Sequence, residues 1–266
     1  MSSSTVEVKI TPPVGTIVLS RPEAANAINR AMVDDLRQAL GDLYLEKQVR
    51  AVILTGVGDV FSAGVDMAEL AADQAQAADD PAWRHQQWGE QADDLGDLIG
   101  EMLAFPKPMI AAVNGPVSGL GVALLMASDL ILACDAAELS VPDARYGLVA
   151  GVVAPLLAYR AGAAAAARLA VVGQTFDAAE AHRLGIYHEL VKHDLLWARG
   201  MEVGQQCAGA APQAVNLTKR LLMETVGEKL LTDLASGAIA TATARTTEAA
   251  SEGLKAHAEG REPQWE

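Results

Sequence analysis

The stretch PKPMIAAVNGPVSGLGVALLMASD, Pro106 to Asp129, decides how the rest of the chain is read. Its apolar run Met109 to Val113 predicts a short buried strand, Asn114, Gly115 and Pro116 predict a turn, and small residues from near Ser118 predict a helix. The first turn of a helix leaves several N–H groups without intrahelical acceptors, and the macrodipole adds about half a positive charge at the same end. Gly119 and Gly121 let another group approach that backbone, because neither carries a side chain. Such a terminus can hold an anion or a developing negative charge. The same glycines also suit nothing more than close packing.

Outward from this centre, similar punctuation recurs. VEVKI and GTIVLS, separated by Pro12 and Pro13, read as two strands in a hairpin-like connection. From Asn29 to Leu45 the apolar residues Met32, Val33, Leu36, Leu40 and Leu43 share one helical face. Ala51 to Leu54 is a buried-strand signal closed by Thr55 and Gly56. FSAGVDMAEL, Phe61 to Leu70, repeats the central logic as a strand, a loop at Gly64 and a helix opened by Asp66 and Glu69, with Asp66 suited to capping. Ala71 to Gly100 is the most polar and irregular part and reads either as a flap over a pocket or as a solvated insertion around Trp83 and Trp88. Further strands are predicted at Leu130 to Cys134, Glu138 to Val141 and near Tyr187 to Val191. Helices are predicted over Ala150 to Val172, broken at Gly151, Pro155 and Gly162, over the segment between the caps Thr175 or Asp177 and Gly185, and through the remainder from Asp194.

Composition narrows the class. The 266 residues are 51% hydrophobic and 20% charged, an ordinary globular balance, while aromatics at 4% demand a core of Ala, Val, Leu and Ile. A net charge of -14 argues against nucleic acid, whose phosphates are met by Lys and Arg, and against anionic membrane surfaces. Cys134 and Cys207 are too few and too scattered for a disulfide framework or a zinc site, which fits a cytoplasmic protein without a metal. The opening MSSSTVEVK has no basic segment before an apolar run, so no secretory leader is expected, and no apolar stretch is long enough to span a membrane.

Four separated segments then agree: LSRPEAANAIN (Leu19 to Asn29), FSAGVDMAEL (Phe61 to Leu70), PMIAAVNGPVSGLG (Pro108 to Gly121) and VVGQTFDAAEAHRLGIYHELV (Val171 to Val191). In this order and spacing the chain resembles the enoyl-CoA hydratase/isomerase family, also called the crotonase superfamily, through about Val191. The resemblance implies an α/β fold, a spiral of repeated β-β-α units over residues 1–193. It also implies a C-terminal helical region over 194–266 used to assemble a homotrimer or a dimer of trimers. It implies an acyl-CoA thioester substrate, no cofactor beyond that coenzyme A, and an oxyanion hole formed by the backbone N–H groups of Val65 and Leu120. Leu120 stands where many relatives have glycine, yet it keeps its N–H. Ala27, Ala63, Gly64, Val65, Asp66, Met67 and Gly119 fall where relatives line the coenzyme A site. Arg21, Arg30 and Lys107 are candidates for meeting its phosphates.

Two departures narrow the chemistry the resemblance implies. Hydratases of the family use two glutamates; the first position is Ala123 here, which cannot move a proton, and the second is Asp143. One carboxylate suffices to move a double bond, because a single base can take a proton at C2 and return it at C4. The expected reaction is therefore enoyl-CoA isomerisation with Asp143 as base. Hydration, decarboxylation, C–C cleavage and plain acyl-CoA binding remain the alternatives. Arg145 is expected to pair with Asp143 and hold its pKa down; Tyr146, His85 and Glu90 are reserve proton carriers.

Overall fold

The computed structural model describes residues 4–76, 81–227 and 229–265. The chain opens with the expected hairpin, β1 (Val6–Thr11) antiparallel to β2 (Val14–Leu19), with Val6 opposite Leu19 and Thr11 opposite Val14. Helix α1 (Arg30–Leu45) follows, capped by the Asn29 side chain, which accepts from the Met32 N–H at 2.9 Å. Its buried face carries Met32, Val33, Leu36, Leu40 and Leu43, the stripe read from the sequence. β3 (Ala51–Gly56) then lies parallel to β2.

Between Phe61 and Val65 no continuous strand forms, and the chain makes only isolated bridges, Ser62 to Val117 and Ile28 to Val65. The polar stretch expected to be irregular is helical instead: α2 spans Met67–Gln76 and α3 spans Pro81–Ala104. Its polar residues mark the solvent side of α3, whose other side buries Trp88, Ala92, Leu95, Leu98, Ile99 and Met102. A flap is therefore not what this segment forms where it is described, although residues 77–80 lie outside the described part.

β4 (Met109–Val113) has the predicted bounds, and β5 (Val117–Ser118) follows the turn. The next helix, α4 (Leu120–Met126), starts two residues later than expected because Val117 and Ser118 pair in parallel with Leu139 and Ser140 of β7 (Leu139–Ser140). Before that strand, β6 (Leu130–Cys134) joins the main sheet beside β4. α5 (Val153–Ala170) is interrupted at Gly162, α6 (Ala178–Arg183) is capped by Asp177, and β8 (Glu189–Val191) completes the sheet order β1-β2-β3-β4-β6-β8. The runs β4-β5-α4 and β6-β7-α5 each step from the main sheet to the small one and into a helix, which is the expected repeat of β-β-α units.

The C-terminal stretch contains α7 (Leu196–Ala208), α8 (Pro212–Val226), α9 (Leu230–Arg245) and α10 (Glu248–Glu259). α7 lies against β2, β3, β4 and β6, so residues past 194 share the core of the same chain. α9 runs along α3, and α10 sits on the short helical turn Asp143–Tyr146. Leu70, Leu148, Ala250 and Leu254 form a separate apolar cluster under α10, with Val65, Met67 and Tyr146 against it. Among the described residues no helix is long and apolar enough to cross a membrane.

Candidate active site

The site forms where the loop after β3 meets the start of α4. Gly64 has φ +93° and Gly119 has φ +46°, conformations that a side chain would strain. They also touch: a Cβ on Gly64 would lie 2.8 Å from the Ser118 carbonyl oxygen and 3.4 Å from the Gly119 Cα. The residues that follow them, Val65 and Leu120, are thereby brought side by side.

The surrounding backbone donors are already used. Ile28 N–H donates to the Gly64 carbonyl at 2.7 Å and Asp66 N–H to the Ile28 carbonyl at 2.9 Å, so this bridge passes over Val65. Gly64 N–H donates to Ser62 Oγ at 3.2 Å, while Ser118 N–H reaches the Ser62 carbonyl at 2.9 Å and Gly119 N–H the Ser140 carbonyl at 3.0 Å. Among the described residues the N–H groups of Val65 and Leu120 have no protein acceptor. Buried or half-buried N–H groups are almost always paired, so two vacant ones on adjoining segments mark a place for an acceptor from outside the chain.

Asp143 lines the same chamber as this pair. A Cβ on Gly119 would stand 3.4 Å from Asp143 Oδ2. That oxygen is enclosed and has no hydrogen-bond partner among the described residues, although the residue as a whole is half-buried. Burial pushes the carboxyl above the ordinary aspartate range, only partly opposed by its own backbone N–H and by the positive charge of Arg245. The expected pairing with Arg145 does not form. Arg145 is exposed and turns instead to the Val172 carbonyl, 3.4 Å away, because the turn Asp143–Tyr146 puts successive side chains on different sides.

A groove of about 300 Å³ runs past these groups, lined by Ala27, Ala63, Val65, Asp66, Met67, Gly119 and Asp143 together with Tyr146 and His257. Gly64 lies in its wall between Ala63 and Val65, and Leu120 lines the inner chamber beyond, where Val65, Asp143 and Arg245 also converge. Asp66 caps α2 as its position suggested, accepting from Ala68 N–H at 3.0 Å and Glu69 N–H at 3.2 Å. Its other oxygen pairs with Arg21 at 2.9 Å.

The basic candidates are otherwise engaged. Arg30 pairs with Asp73 at 2.6 Å, and Lys107 donates to the Leu43 and Glu46 carbonyls on a different face, beside Tyr44 and Arg50. Ala123 is fully buried in the main core. Tyr146 does line the groove, edge-on to His257 at 5.3 Å, while Glu90 is exposed and bonded to Gln86 and Gln87. The side chain of His85 lies outside the described residues. The residues the motifs did not reveal are Gln91, Arg245 and His257, contributed by α3, α9 and α10. One signal was present: Arg245 is the sole charged residue between Leu234 and Thr247.

A spiral of β-β-α units, two adjoining vacant amides and one enclosed carboxyl define a class of fold and site rather than a reaction. The family model for enoyl-CoA hydratase/isomerase matches residues 9–266. The chain is 33% identical over 252 residues to a Thermus thermophilus protein carrying a provisional enoyl-CoA hydratase name, across 95% of this chain and 97% of that one. It is 28% identical over 220 residues to the Escherichia coli 1,2-epoxyphenylacetyl-CoA isomerase, across 80% and 82%. The crystal structure of an enoyl-CoA hydratase/isomerase from Xanthobacter autotrophicus Py2 superposes with a TM-score of 0.87 at 25% identity, across 96% and 93%. The chain belongs to the enoyl-CoA hydratase/isomerase family, and the fold is the crotonase fold.

Proposed function

We propose that this chain binds an acyl-CoA thioester with its carbonyl oxygen between the N–H groups of Val65 and Leu120, and isomerises an enoyl-CoA with Asp143 as its single acid–base group. The observation that carries this reading is the enclosed, unpartnered Asp143 Oδ2 against Gly119, the residue that leads into one of the two vacant amides. The Asp143 carboxylate takes a proton from C2 of a 3-enoyl thioester, and the electron pair moves onto the thioester oxygen. Two preorganised donors lower the cost of that charge. The proton then returns from Asp143 at C4, the double bond settles between C2 and C3, and no atom is gained or lost. The transfer calls for no cofactor beyond the substrate's own coenzyme A, whose nucleotide and pantetheine would lie along Ala27, Ala63, Gly64, Asp66 and Met67.

A base held above the ordinary aspartate range suits this role, because a stronger conjugate base takes a weakly acidic C–H proton more readily. Hydration is the second reading, favoured by the names of several relatives, among them the 2,3-dehydroadipyl-CoA hydratase of Escherichia coli at 27% identity. It asks more of Asp143, which would have both to activate water and to protonate C2. The 194–266 region would also serve assembly into a trimer, for which the exposed Leu217, Leu221 and Leu222 of α8 offer apolar surface.

The separating experiment incubates the protein with 2-enoyl- and 3-enoyl-CoA thioesters in deuterated water. Deuterium at C2 and C4 with double-bond migration is expected. Hydration without migration would replace the isomerase reading, and binding without exchange would reduce the chain to an acyl-CoA-binding protein.

A further inference from the structure

Arg245 is only 5% exposed, yet it lines the chamber that holds Val65, Leu120 and Asp143, and also the recess next to it. It comes from the last turn of α9, which is held down where Gly237 meets Gly151 backbone to backbone and runs along α3. Its Nη1 donates to Gln91 Oε1 at 2.6 Å, and Gln91 Nε2 donates in turn to Asp73 Oδ2 at 2.9 Å. Asp73 is already paired with Arg30 at 2.6 Å. Gln91 thus stands between Arg245 and the nearest carboxylate of this network. Among the described residues no carboxylate lies within ion-pair distance of Arg245, whereas Arg21, Arg30, Arg37, Arg168, Arg199 and Arg261 each have one.

A guanidinium carries five N–H donors in a planar fork and does not give up its charge in proteins. Enclosing it with one neutral partner is costly unless a counter-charge arrives. Burial pulls its pKa down to about 10, against the opposing pull of the more distant Asp73, Glu69 and Asp143. The donors left over border the space into which an acyl chain would extend from a thioester oxygen held at Val65 and Leu120. A carboxylate matches the fork in geometry and sign.

We infer that the acyl group carried by the thioester ends in a carboxylate that pairs with Arg245, so that the natural substrate is a short dicarboxylic acid joined to coenzyme A at one end. This rests on the acyl-CoA reading above. It adds what that reading leaves open, the chemistry of the far end of the acyl chain. The chain is short because the vacant amides, Asp143 and Arg245 all line one chamber. Asp34, Glu69 and Asp94 sit in the adjoining recess, where they disfavour a carboxylate that passes beyond Arg245 and so help set the length.

The test uses saturated thioesters, which bind without reacting: pentanoyl-CoA, 5-hydroxypentanoyl-CoA and glutaryl-CoA, with hexanoyl-CoA and adipyl-CoA as the longer pair, titrated calorimetrically into the wild-type protein. In the better-fitting length the carboxylate should tighten binding by roughly 10–100-fold over the alkyl chain, the range for a charge-assisted hydrogen-bonded pair. Arg245→Met should erase that ratio, and Arg245→Lys should keep part of it. The wild-type comparison needs no variant, so it stands even if Arg245→Met folds poorly. Equal binding of the alkyl, hydroxyl and carboxylate chains overturns the inference while the thioester reading stands. An equal gain from the hydroxyl chain overturns the carboxylate in favour of a neutral acceptor. Failure of every thioester to bind overturns both.

Discussion

The chamber has two walls made of different material. One is backbone: Gly64 and Gly119 hold positive φ, press against each other and leave the N–H groups of Val65 and Leu120 vacant. The other is side chain: Asp143, with its enclosed Oδ2, from the turn after β7 and the buried Arg245 from the end of α9, neither paired with an opposite charge among the described residues. In the proposed reading the backbone wall stabilises charge on the thioester oxygen, whatever the acyl group. In that reading the side-chain wall selects the reaction and the acyl group, because replacing a side chain alters the chemistry without moving the main chain.

The sharpest way to separate the walls is Asp143→Asn, which keeps shape and removes the proposed base. Deuterium exchange at C2 should fall by about 10²–10⁴-fold, while the affinity for a saturated thioester changes less than about threefold. A matching loss of affinity would mean that Asp143 holds the chamber together rather than reacting in it. Gly64→Ala attacks the other wall. The added Cβ meets the Ser118 carbonyl oxygen at 2.8 Å in a conformation alanine resists, so the Val65 N–H must turn away. A loss of about 10²–10³-fold in exchange is expected, the cost of one misplaced donor, with Asp143 still titrating as before. An unchanged rate would show that the Val65 amide does not face the substrate oxygen.

The same division explains what could be read from the sequence. The two glycine breaks of the backbone wall were legible because their signals are local, each lying between an apolar run and a helix, whereas Val65 and Leu120 were reached only through the resemblance. Asp143 was likewise reached through the resemblance, and its environment was misjudged. Arg145, two residues away along the chain, suggested a partner, but direction rather than sequence distance governs contact, and Arg145 turns outward to Val172. Arg245 and Gln91 were missed because α9 and α3 meet 154 positions apart, and nothing in either helix's own periodicity reports on the other. The helical form of α2 and α3 was hidden by polar residues that face solvent, where helical and irregular segments have similar composition.

A smaller effect tests how the backbone wall is braced. Asp66 caps α2 directly behind Val65 and also pairs with Arg21, which donates to the Ala27 carbonyl. Asp66→Ala should cost about 1 kcal/mol from the cap, lowering Tm by about 2–4 °C for a chain of this size. A normal exchange rate at that lower Tm would show the donors are set by the two glycines alone, whereas a reduced rate would make the cap part of their alignment.

The smallest signal is the pH dependence of stability, and its sign distinguishes the enclosed wall from ordinary surface carboxylates. The Asp143 carboxyl titrates above its usual 3.8 in the folded chain because burial disfavours the charged form. The folded state therefore binds that proton more tightly than the unfolded one, and stability is lost as pH rises from 3.8 through the folded value. Asp143→Asn escapes this loss, so its Tm should gain on wild type as pH rises from 3.8 through the folded value. Other titrating groups are common to both proteins and largely cancel in the difference. Glu180 supplies the opposite case: hydrogen bonds from Arg183 and then Arg168 hold it down at about 2, below the usual 4.5. Its contribution is present above 4.5 and fades only as pH falls through about 2. The difference between Glu180→Gln and wild type should therefore stay flat from pH 8 to pH 5. An Asp143→Asn difference that stays flat from pH 3.8 upward would place that carboxyl in contact with water and remove the reason for treating it as the poised base.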